Sequence, residues 1–522
     1  MGGPRRGPAE LGFPWLLGAP IGQNEPALPM LRKTSPFVLL VAVTVLACWK
    51  VLFRDFTLLA GSDMARAYFP YFDVAAFWLK KGVLLLWDPH VYSGKPFMGE
   101  PQPGLFYPLN LLVMLVRARG GGVNQTAMQG LLILNYFLAS GFVYLLARDL
   151  RLGPWAALLA GAGFAYGGFT SQLYGYVNKF SGFVWMPFTL LFFRRALREP
   201  ARQARLRAAC ASAVGLSLAF LPGHHAPPIL TGGLLLFYAA FSVFAGREAP
   251  GVRRWLWALQ TFAAVGGIAV LVTAVQWLPS AEWARHVYRW VGEGPPVRWG
   301  EPIPYSVLGR AGNQLPQNAF SLLLPYFSAG VNLYVGGPLL LLALVGFLFG
   351  KGQDARFFGA AALACFFVSL GELSALHGWL HSLLPGLWFA RDVFFYLVPF
   401  QLSVAMLAGY GLDALVEGAS GEPDPALRVF LRRLGWGVGA LTAAALVLAA
   451  ALHLYRDLAF DNRYLTGLGG LAAYLTSFGT LLFSCSIWYP ISPPGSRPRG
   501  AAAAVRTPTS AHSGNHRRRR SS

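Results

Sequence analysis

Charged residues are scarce in this 522-residue chain: Asp, Glu, Lys and Arg together make up 12% of it, and only 22 residues are acidic. Soluble domains carry roughly a quarter of charged residues, so this scarcity argues against an ordinary globular enzyme. The four cysteines are not spaced as metal ligands and are too few for a disulfide scaffold. The chain also lacks a Walker A loop and a glycine-rich dinucleotide fingerprint, which excludes a cytoplasmic nucleotide module.

Apolar sequence is what the chain has in abundance, with 55% hydrophobic and 14% aromatic residues. Its long apolar runs each approach the roughly 20 residues that cross a bilayer as a helix. We therefore predict an all-α polytopic membrane protein with about 12 transmembrane helices, between roughly 11 and 13. The predicted spans are residues 36–53, 127–147, 154–169, 180–193, 208–221, 228–245, 256–278, 334–349, 357–370, 394–412, 434–452 and 465–489.

Composition divides the chain into three parts. Residues 1–29 are rich in Gly and Pro and are predicted to be a disordered leader or to precede the true start at Met30. Residues 30–490 form the predicted transmembrane domain, with long outer loops at 54–126 and 279–333. Residues 491–522 are predicted to be a disordered basic tail, which is either the natural end or a truncated or frame-shifted one.

The net charge of +21 is sorted between alternate loops. Lys and Arg collect on the cytoplasmic loops of multi-span proteins, and here every short loop assigned inside is basic. The outer turns at 171–178 and 222–227 contain neither residue. This sorting predicts that both termini are cytoplasmic. No basic face or reading motif accompanies the charge, so we predict no nucleic-acid partner. The inner basic residues are Arg148, Arg151, Arg194, Arg195, Arg198, Arg202, Arg205, Arg207, Arg247, Arg253, Arg254, Lys351, Arg356, Arg428, Arg432 and Arg433.

Asp63 is the most prominent acidic residue of the first outer loop, because it follows the first span closely. A carboxylate near the membrane surface can meet the head group of a lipid-borne substrate and act as a general base toward an attacking hydroxyl. Asp is also a favoured residue at the start of a helix, where its side chain caps free backbone N–H groups. The pattern alone leaves both roles open.

The outer loops resemble those of the YfhO-like bacterial membrane proteins, relatives of the GT-C glycosyltransferases. The resemblance rests on short motifs in a shared order between residues 36 and 415. These motifs are Gly61-Ser62-Asp63, Tyr68-Phe69-Pro70, Leu86-Trp87-Asp88-Pro89, Ser93-Gly94-Lys95-Pro96, Tyr107-Pro108-Leu109-Asn110, Gly223-His224-His225, Val275-Gln276-Trp277-Leu278-Pro279, Tyr334-Val335-Gly336, Leu384-Pro385-Gly386 and Leu407-Ala408-Gly409-Tyr410-Gly411-Leu412.

This resemblance implies a GT-C-like fold whose long first extracytoplasmic loop bears short interfacial helices. It also implies a bacterial inner-membrane enzyme that transfers a sugar with inversion on the extracytoplasmic face. The donor would be a polyprenyl-phosphate sugar, the acceptor an envelope glycan or lipid, and Asp63 the base. One departure matters: the family's Gly-His-Pro-Gln-like turn is Gly-His-His-Ala here, so no role of its Gln can be carried over.

Six further residues are candidates for substrate binding. The Arg391 guanidinium can form two parallel hydrogen bonds with a lipid phosphate, or the side chain can act as an interfacial anchor. Lys95 is a loop cation that can also bind phosphate. His224 and His225 bind substrate or shape their turn, while Glu282 is a second carboxylate or a helix-end charge. Asp73 pairs with a cation or joins a metal site. Nothing in the spacing indicates a metal ion, although a divalent cation stays an alternative. Membrane lipids are the other predicted partners.

Two other functions compete with the transferase. The chain shows neither the internal repeats nor the mid-membrane charges typical of a lipid or solute transporter. A non-catalytic envelope-assembly protein would not require the long outer loop with its motifs. Both stay open as alternatives.

We predict that Ser93 labels from outside the cell. In a variant whose native cysteines are replaced, Ser93→Cys should react with a membrane-impermeant maleimide on intact cells, because loop 54–126 lies outside. The matched control Gln203→Cys, in a basic inner loop, should react only after permeabilisation. The reverse pattern would invert the topology and remove access to an outer lipid donor.

Overall fold

A computed structural model describes residues 35–288 except 60, 62 and 245–250; residues 296–298, 300–302, 305, 315–322, 331–383 and 392–420; and scattered residues between 425 and 447. Within these ranges the protein is helical apart from one short hairpin. Proline begins several helices because its fixed φ suits the first turn and its missing N–H is not needed there.

Residues 54–126, the predicted first outer loop, carry a π-helix, two short α-helices and the hairpin. After α1 (Pro36–Ala47) and α2 (Trp49–Phe53) come a π-helix (Met64–Tyr68), α3 (Phe69–Leu79), β1 (Trp87–Asp88), β2 (Lys95–Pro96) and α4 (Pro108–Leu115). The strands pair antiparallel, with Trp87 opposite Pro96 and Asp88 opposite Lys95. Two of the family-like motifs therefore build one hairpin.

The remaining helices form the bundle. They are α5 (Gln125–Asp149), α6 (Pro154–Tyr166), α7 (Gly168–Ser171), a 3-10 turn (Gln172–Gly175), α8 (Val177–Phe183), α9 (Met186–Arg198), α10 (Arg202–Phe220), α11 (Ala226–Phe244), α12 (Val252–Val272), α13 (Ala274–Ala284), a 3-10 turn (Pro316–Leu322), α14 (Gly337–Phe349), α15 (Gln353–Ser369), a 3-10 turn (Gly371–Leu373), α16 (Ala375–Leu383), a 3-10 turn (Val393–Tyr396) and α17 (Leu397–Ser420).

Among the described residues, four helical segments are long and apolar enough to cross a membrane: Gln125–Asp149, Ala226–Phe244, Val252–Val272 and Val393–Glu417. Two shorter apolar helices are Pro36–Ala47 and Gly337–Phe349. A membrane-type helical fold is thus present, and the count of twelve stays a prediction, since residues 448–522 lie outside the description.

Three of the predicted spans are interrupted. The run 154–169 breaks at Gly167, the run 180–193 breaks between α8 and α9, and the run 256–278 breaks at Thr273. The apolar runs did not reveal these breaks, because hydropathy measures the apolar character of the side chains and carries no information on where the backbone leaves the helix. Irregular structure inside a membrane protein is tolerated only where other groups satisfy the freed backbone N–H and C=O groups.

Helix α17 lies at the centre of the bundle, and α12 lies at its edge. In the helical segment Val393–Glu417, which includes most of α17, 89% of the most apolar stretch is buried. In α12 the corresponding share is only 22%. Glycines let α17 approach its neighbour α14 closely: a Cβ on Gly411 would lie 1.9 Å from the Leu342 carbonyl oxygen, and one on Gly346 equally close to that of Leu407. Such small-residue contacts are typical of helix packing in membranes. The family-like Gly-Tyr-Gly stretch is therefore a packing motif.

A buried glutamine of α17 holds the break between α6 and α7. Gln401 is 2% exposed, and its Oε1 accepts the N–H groups of Phe169 and Thr170 at 3.1 Å. Its Nε2 donates to the carbonyls of Phe164 at 2.8 Å and Gly163 at 3.3 Å. These are the main-chain groups that a helix end and a helix start leave without partners.

One end of the bundle is tied by ion pairs. Arg194 of α9 bridges Asp149 of α5 and Asp354 of α15, and Arg198 binds Asp354 at 3.0 Å. Tyr238 of α11 donates to the same Asp354 at 2.9 Å. The basic loops predicted to share the inner side therefore do meet at one end of the bundle, which we call the inner end.

The opposite, outer end brings the first outer loop against the α10–α11 turn. Gly223 has φ +101°, a conformation that L side chains rarely adopt, and a Cβ there would lie 1.8 Å from the Pro101 carbonyl oxygen. The Trp185 indole also donates to the Tyr107 hydroxyl at 3.0 Å. These contacts hold the loop on the bundle.

We predict opposite effects of one substitution at two buried glutamines. Gln401→Leu leaves four buried backbone groups unsatisfied, so it should lower the unfolding free energy by at least about 3 kcal/mol, since each such group costs about 1–3 kcal/mol. The amide of Gln276 on α13 is equally buried but makes no hydrogen bond within the described part of the chain. Gln276→Leu should therefore be neutral or stabilising. Thermal unfolding in detergent compares the two, and equal losses would contradict the assigned bonds.

Candidate functional site

Asp63 lies exposed at the outer end, directly before the π-helix. Its backbone is already helical, with φ −70° and ψ −35°, and its side chain makes no capping hydrogen bond. A capping residue would have an extended backbone and accept from the following turn. The capping alternative is therefore wrong for this residue, and the carboxylate is turned to other neighbours.

Two tyrosines mark the surroundings of this carboxylate. Burial and then the negative charge of Asp63 raise the pKa of Tyr68. Burial also raises the pKa of Tyr176, and Asp63 and Asp392 raise it further. The Tyr176 phenol is therefore within electrostatic range of both carboxylates, which belong to the first outer loop and to the turn before α17. Sequence separation between them exceeds three hundred residues, so only the fold brings them together.

Lys179 and Asn178 complete this cluster from the start of α8. The Lys179 ammonium lies 4.1 Å from the centre of the Tyr176 ring and 4.9 Å from that of Phe395. Asn178 is 2% exposed, and its amide is near enough to the Tyr68 hydroxyl to lower that group's pKa, although it falls outside hydrogen-bonding geometry. We call Asp63, Tyr176, Asn178, Lys179 and Asp392 the outer cluster.

The two histidines border the outer cluster. Their rings stack at 4.4 Å, and the ring of His224 meets that of Phe395 edge-on at 5.9 Å. The Nδ1 atom of His224 accepts the Ala226 N–H at 3.1 Å, so this side chain caps the start of α11. His224 therefore has a structural role at the edge of the site, while His225 is exposed beside it.

Three other candidates lie in different surroundings. Lys95 is 4% exposed and binds Glu100 at 3.3 Å and the Tyr71 hydroxyl at 3.1 Å. Asp73 accepts the Val123 N–H at 2.8 Å and so joins α3 to the approach to α5. Glu282 lies exposed on α13. The structure does not join these three to the outer cluster, and Arg391 lies outside the described residues.

Burial and the two partners of Lys95, Glu100 and Tyr71, act on its pKa in opposite directions. Desolvation lowers the pKa of its ammonium, but Glu100 and Tyr71 outweigh it, so the net pKa is raised. The ammonium thus stays charged and already has a carboxylate and a phenol as partners. Its geometry is that of a structural ion pair in the hairpin.

A small cavity of about 20 Å³ lies behind Asp392, with room for about one water molecule. His377 of α16 lines the same cavity, and burial lowers its pKa to about 4. The Tyr305 hydroxyl lies 3.3 Å from the His377 Nδ1. Within the described part of the chain, no group of three or more His, Cys, Asp or Glu side chains could hold a metal ion.

Sequence reasoning missed Tyr176, Asn178, Lys179 and Asp392 as site residues. The available signal was a lysine at the border between an outer turn and an apolar run, since such a charge is costly to bury. Asp392 likewise borders an apolar run, beside the candidate Arg391.

No protein-family model matches the chain, and no curated protein matches it. Solved structures do resemble it. ArnT from Cupriavidus metallidurans bound to undecaprenyl phosphate is 18% identical with a TM-score of 0.46, over 79% of this chain and 65% of that chain. The apo oligosaccharyltransferase from Archaeoglobus fulgidus is 15% identical with a TM-score of 0.46, over 86% of this chain and 56% of that chain.

A third structure is AglB from Archaeoglobus fulgidus in complex with an inhibitory peptide and a dolichol-phosphate. It is 15% identical with a TM-score of 0.44, over 72% of this chain and 49% of that chain. ArnT and AglB are GT-C fold glycosyltransferases. The chain spans less than two thirds of the length of each of these proteins. Likeness to the YfhO-like proteins stays a resemblance of motifs, and assignment of the site rests on this chain's own residues.

Proposed function

We propose that this protein is a membrane glycosyltransferase of the bacterial inner membrane. It moves a sugar from a polyprenyl-phosphate donor to an envelope glycan or lipid acceptor on the extracytoplasmic face. The observation that carries the proposal is the exposed, non-capping carboxylate of Asp63, which together with Asp392 raises the pKa of Tyr176. Motifs in the outer loops add support, because their order resembles that of the YfhO-like proteins.

Asp63 acts as the general base. The acceptor hydroxyl gives its proton to the Asp63 carboxylate while its oxygen forms a bond to the anomeric carbon of the sugar. The bond between that carbon and the phosphate oxygen breaks, and its electron pair leaves with the lipid phosphate. Attack from the face opposite the leaving group inverts the anomeric centre. An exposed carboxylate suits this role because the acceptor must reach it from outside.

The other residues of the site receive roles by position. Asp392, which like Asp63 raises the pKa of Tyr176, accepts hydrogen bonds from sugar hydroxyls. Arg391, next to it in the chain, meets the donor phosphate with its guanidinium fork. His225 lies exposed beside the cluster and contacts the sugar or the acceptor. No step of this scheme requires a metal ion.

The inner end of the bundle weighs against the transporter alternative. A transporter must open alternately to both sides, which means separating its helices at each end in turn. Arg194 joins α5, α9 and α15 through two carboxylates there, and its side chain is only 13% exposed. Separating them would leave charges unpaired in a partly buried place, which is strongly unfavourable. Access from the outer side alone is what a transferase of this type needs.

Asp63→Asn should lower sugar transfer by at least about a hundredfold, because a positioned base contributes about 10²–10⁴-fold. The substitution keeps the shape and removes the basicity, and it breaks no capping bond. Purified protein and radiolabelled polyprenyl-phosphate sugars measure the transfer. The melting temperature should stay near that of the wild type.

Asp55→Asn is the matched control, since Asp55 is also exposed in the same loop but lies closer to the first helix. It should keep near-normal transfer. Normal transfer by Asp63→Asn would rule out the base assignment, and absence of transfer by the wild type with active control enzymes would favour an assembly protein.

A further inference from the structure

Arginines at the inner end of the bundle fall into two groups. Those near the end of α9 are bound to carboxylates, as the pairs of Arg194 and Arg198 with Asp354 show. Those at the starts of α10 and α12 form no ion pair with a carboxylate that the structure describes. They are Arg202, Arg205, Arg207 and Arg253. Neither helix has an acidic residue in its first turn, so this second group is positive charge that the described residues leave unbalanced.

Helices α10 and α12 begin side by side at the inner end. Helix α9 ends there at Arg198, whose guanidinium binds Asp354, and α10 begins four residues later. The ring of Phe244, at the end of α11, meets that of Trp255 near the start of α12 edge-on at 5.0 Å. Helices α10 and α12 then pack against each other. Their basic first turns therefore share one end of one interface.

An arginine and a tryptophan join the two helix starts. The central carbon of the Arg205 guanidinium lies 4.7 Å from the centre of the Trp257 ring, within the range of a cation–π contact. Residues three or four apart share a face of a helix, so Arg202 lies beside Arg205 on α10 and Arg253 lies beside Trp257 on α12. Three arginines thus border the start of the interface. We call Arg202, Arg205, Arg253 and Trp257 the basic seam.

Arg205 can bind a ligand with its two terminal nitrogens. Its Nε is buried without a hydrogen bond in the described part of the chain, whereas the terminal nitrogens are not among the buried atoms that lack a partner. They also make no hydrogen bond to a described residue, so they reach the surface. Contact with the Trp257 ring holds the guanidinium plane and leaves its N–H groups free to donate at the edge. A fixed pair of donors suits the oxygens of a phosphate.

Apolar side chains adjoin the basic seam. Leu206 on α10 and Leu256 and Leu259 on α12 are each more than half exposed, and Trp257 is itself exposed. Helix α12 lies at the edge of the bundle, with only 22% of its most apolar stretch buried, so this surface is open to hydrocarbon chains. A ligand that fits both features carries a negative charge at one end and apolar chains at the other. A nucleotide or an acidic peptide has no such chains.

We propose that the basic seam binds an anionic phospholipid of the leaflet at the inner end. The lipid phosphate accepts hydrogen bonds from Arg205, Arg202 and Arg253 match the net negative charge, and the acyl chains lie along α12. Basic pockets between membrane helices bind such headgroups. A zwitterionic phospholipid has the same phosphate but adds a cation that the arginines repel. The seam lies at the other end of the bundle from Asp63, so this inference is independent of sugar transfer.

The test is native mass spectrometry of the purified full chain in detergent. Titration with phosphatidylglycerol and with phosphatidylcholine of the same acyl chains gives the two affinities, and the wild type should prefer phosphatidylglycerol. Arg205→Met should lower this preference by at least about fivefold, since a basic residue beside an anionic lipid contributes about that factor. The matched control Arg356→Met removes an exposed charge from the start of α15 and should keep the preference.

Two further variants separate the basic seam from net charge and from folding. Trp257→Leu keeps every charge and removes the ring that holds Arg205, so the preference should fall here too. The double variant Arg202→Gln with Arg253→Gln changes only exposed side chains. It should also reduce the preference, and it tests the same site if Arg205→Met does not fold, as judged by melting temperature.

Absence of a preference for phosphatidylglycerol in the wild type would overturn the proposal. So would an unchanged preference in the folded arginine variants, or an equal loss in Arg356→Met, which would assign the effect to net charge. Millimolar inorganic phosphate should displace little of the lipid, because the acyl chains contribute to binding. Complete displacement would assign the site to free phosphate and contradict the lipid.

Discussion

Gln401 connects the centre of the bundle to its outer end. Its amide satisfies four main-chain groups at the break between α6 and α7, and the chain then turns through residues 172–175 to reach Tyr176, Asn178 and Lys179. In a membrane interior such a break would otherwise cost several kcal/mol for each unsatisfied group. The same helix follows directly after the turn that begins at Asp392. One buried amide therefore fixes the relative position of the lysine and one carboxylate of the outer cluster.

The two ends of the bundle differ in how their charges are used. At the inner end, Arg194 and Arg198 are matched by Asp149 and Asp354, which hold helices together. At the outer end, Asp63 and Asp392 both raise the pKa of Tyr176, the Lys179 ammonium lies 4.1 Å from the centre of its ring, and Asp63 is exposed. Ion pairs between helices stabilise a fold, whereas an exposed carboxylate is accessible to a substrate. Under the proposed function, the inner end holds the helices together and the outer end carries the reaction.

Sequence patterns predicted some of this in advance. The loops rich in Arg correctly indicated which helix ends lie together, because lysine and arginine collect on one side of a membrane protein. The outer-loop motifs indicated Asp63 as the candidate base, and that role stays a prediction. Apolar runs could not reveal the breaks at Gly167 and Thr273, since hydropathy averages over them. Neither could they reveal Lys179 and Asp392, whose significance depends on packing between residues far apart in sequence. In the sequence, Lys95 and Asp73 are as good candidates as Lys179 and Asp63. In the structure, Lys95 forms an ion pair with Glu100 and Asp73 binds a backbone N–H, so both have structural roles.

The central claim is that the donor headgroup binds in the outer cluster. Electron cryomicroscopy of the full chain in nanodiscs with a non-hydrolysable polyprenyl-phosphonate sugar tests it most directly. The account predicts headgroup density at the outer end, with the sugar beside Asp63 and Tyr176. Headgroup density at the inner end, or at the Lys95 hairpin with the outer cluster unchanged from the donor-free protein, would contradict it.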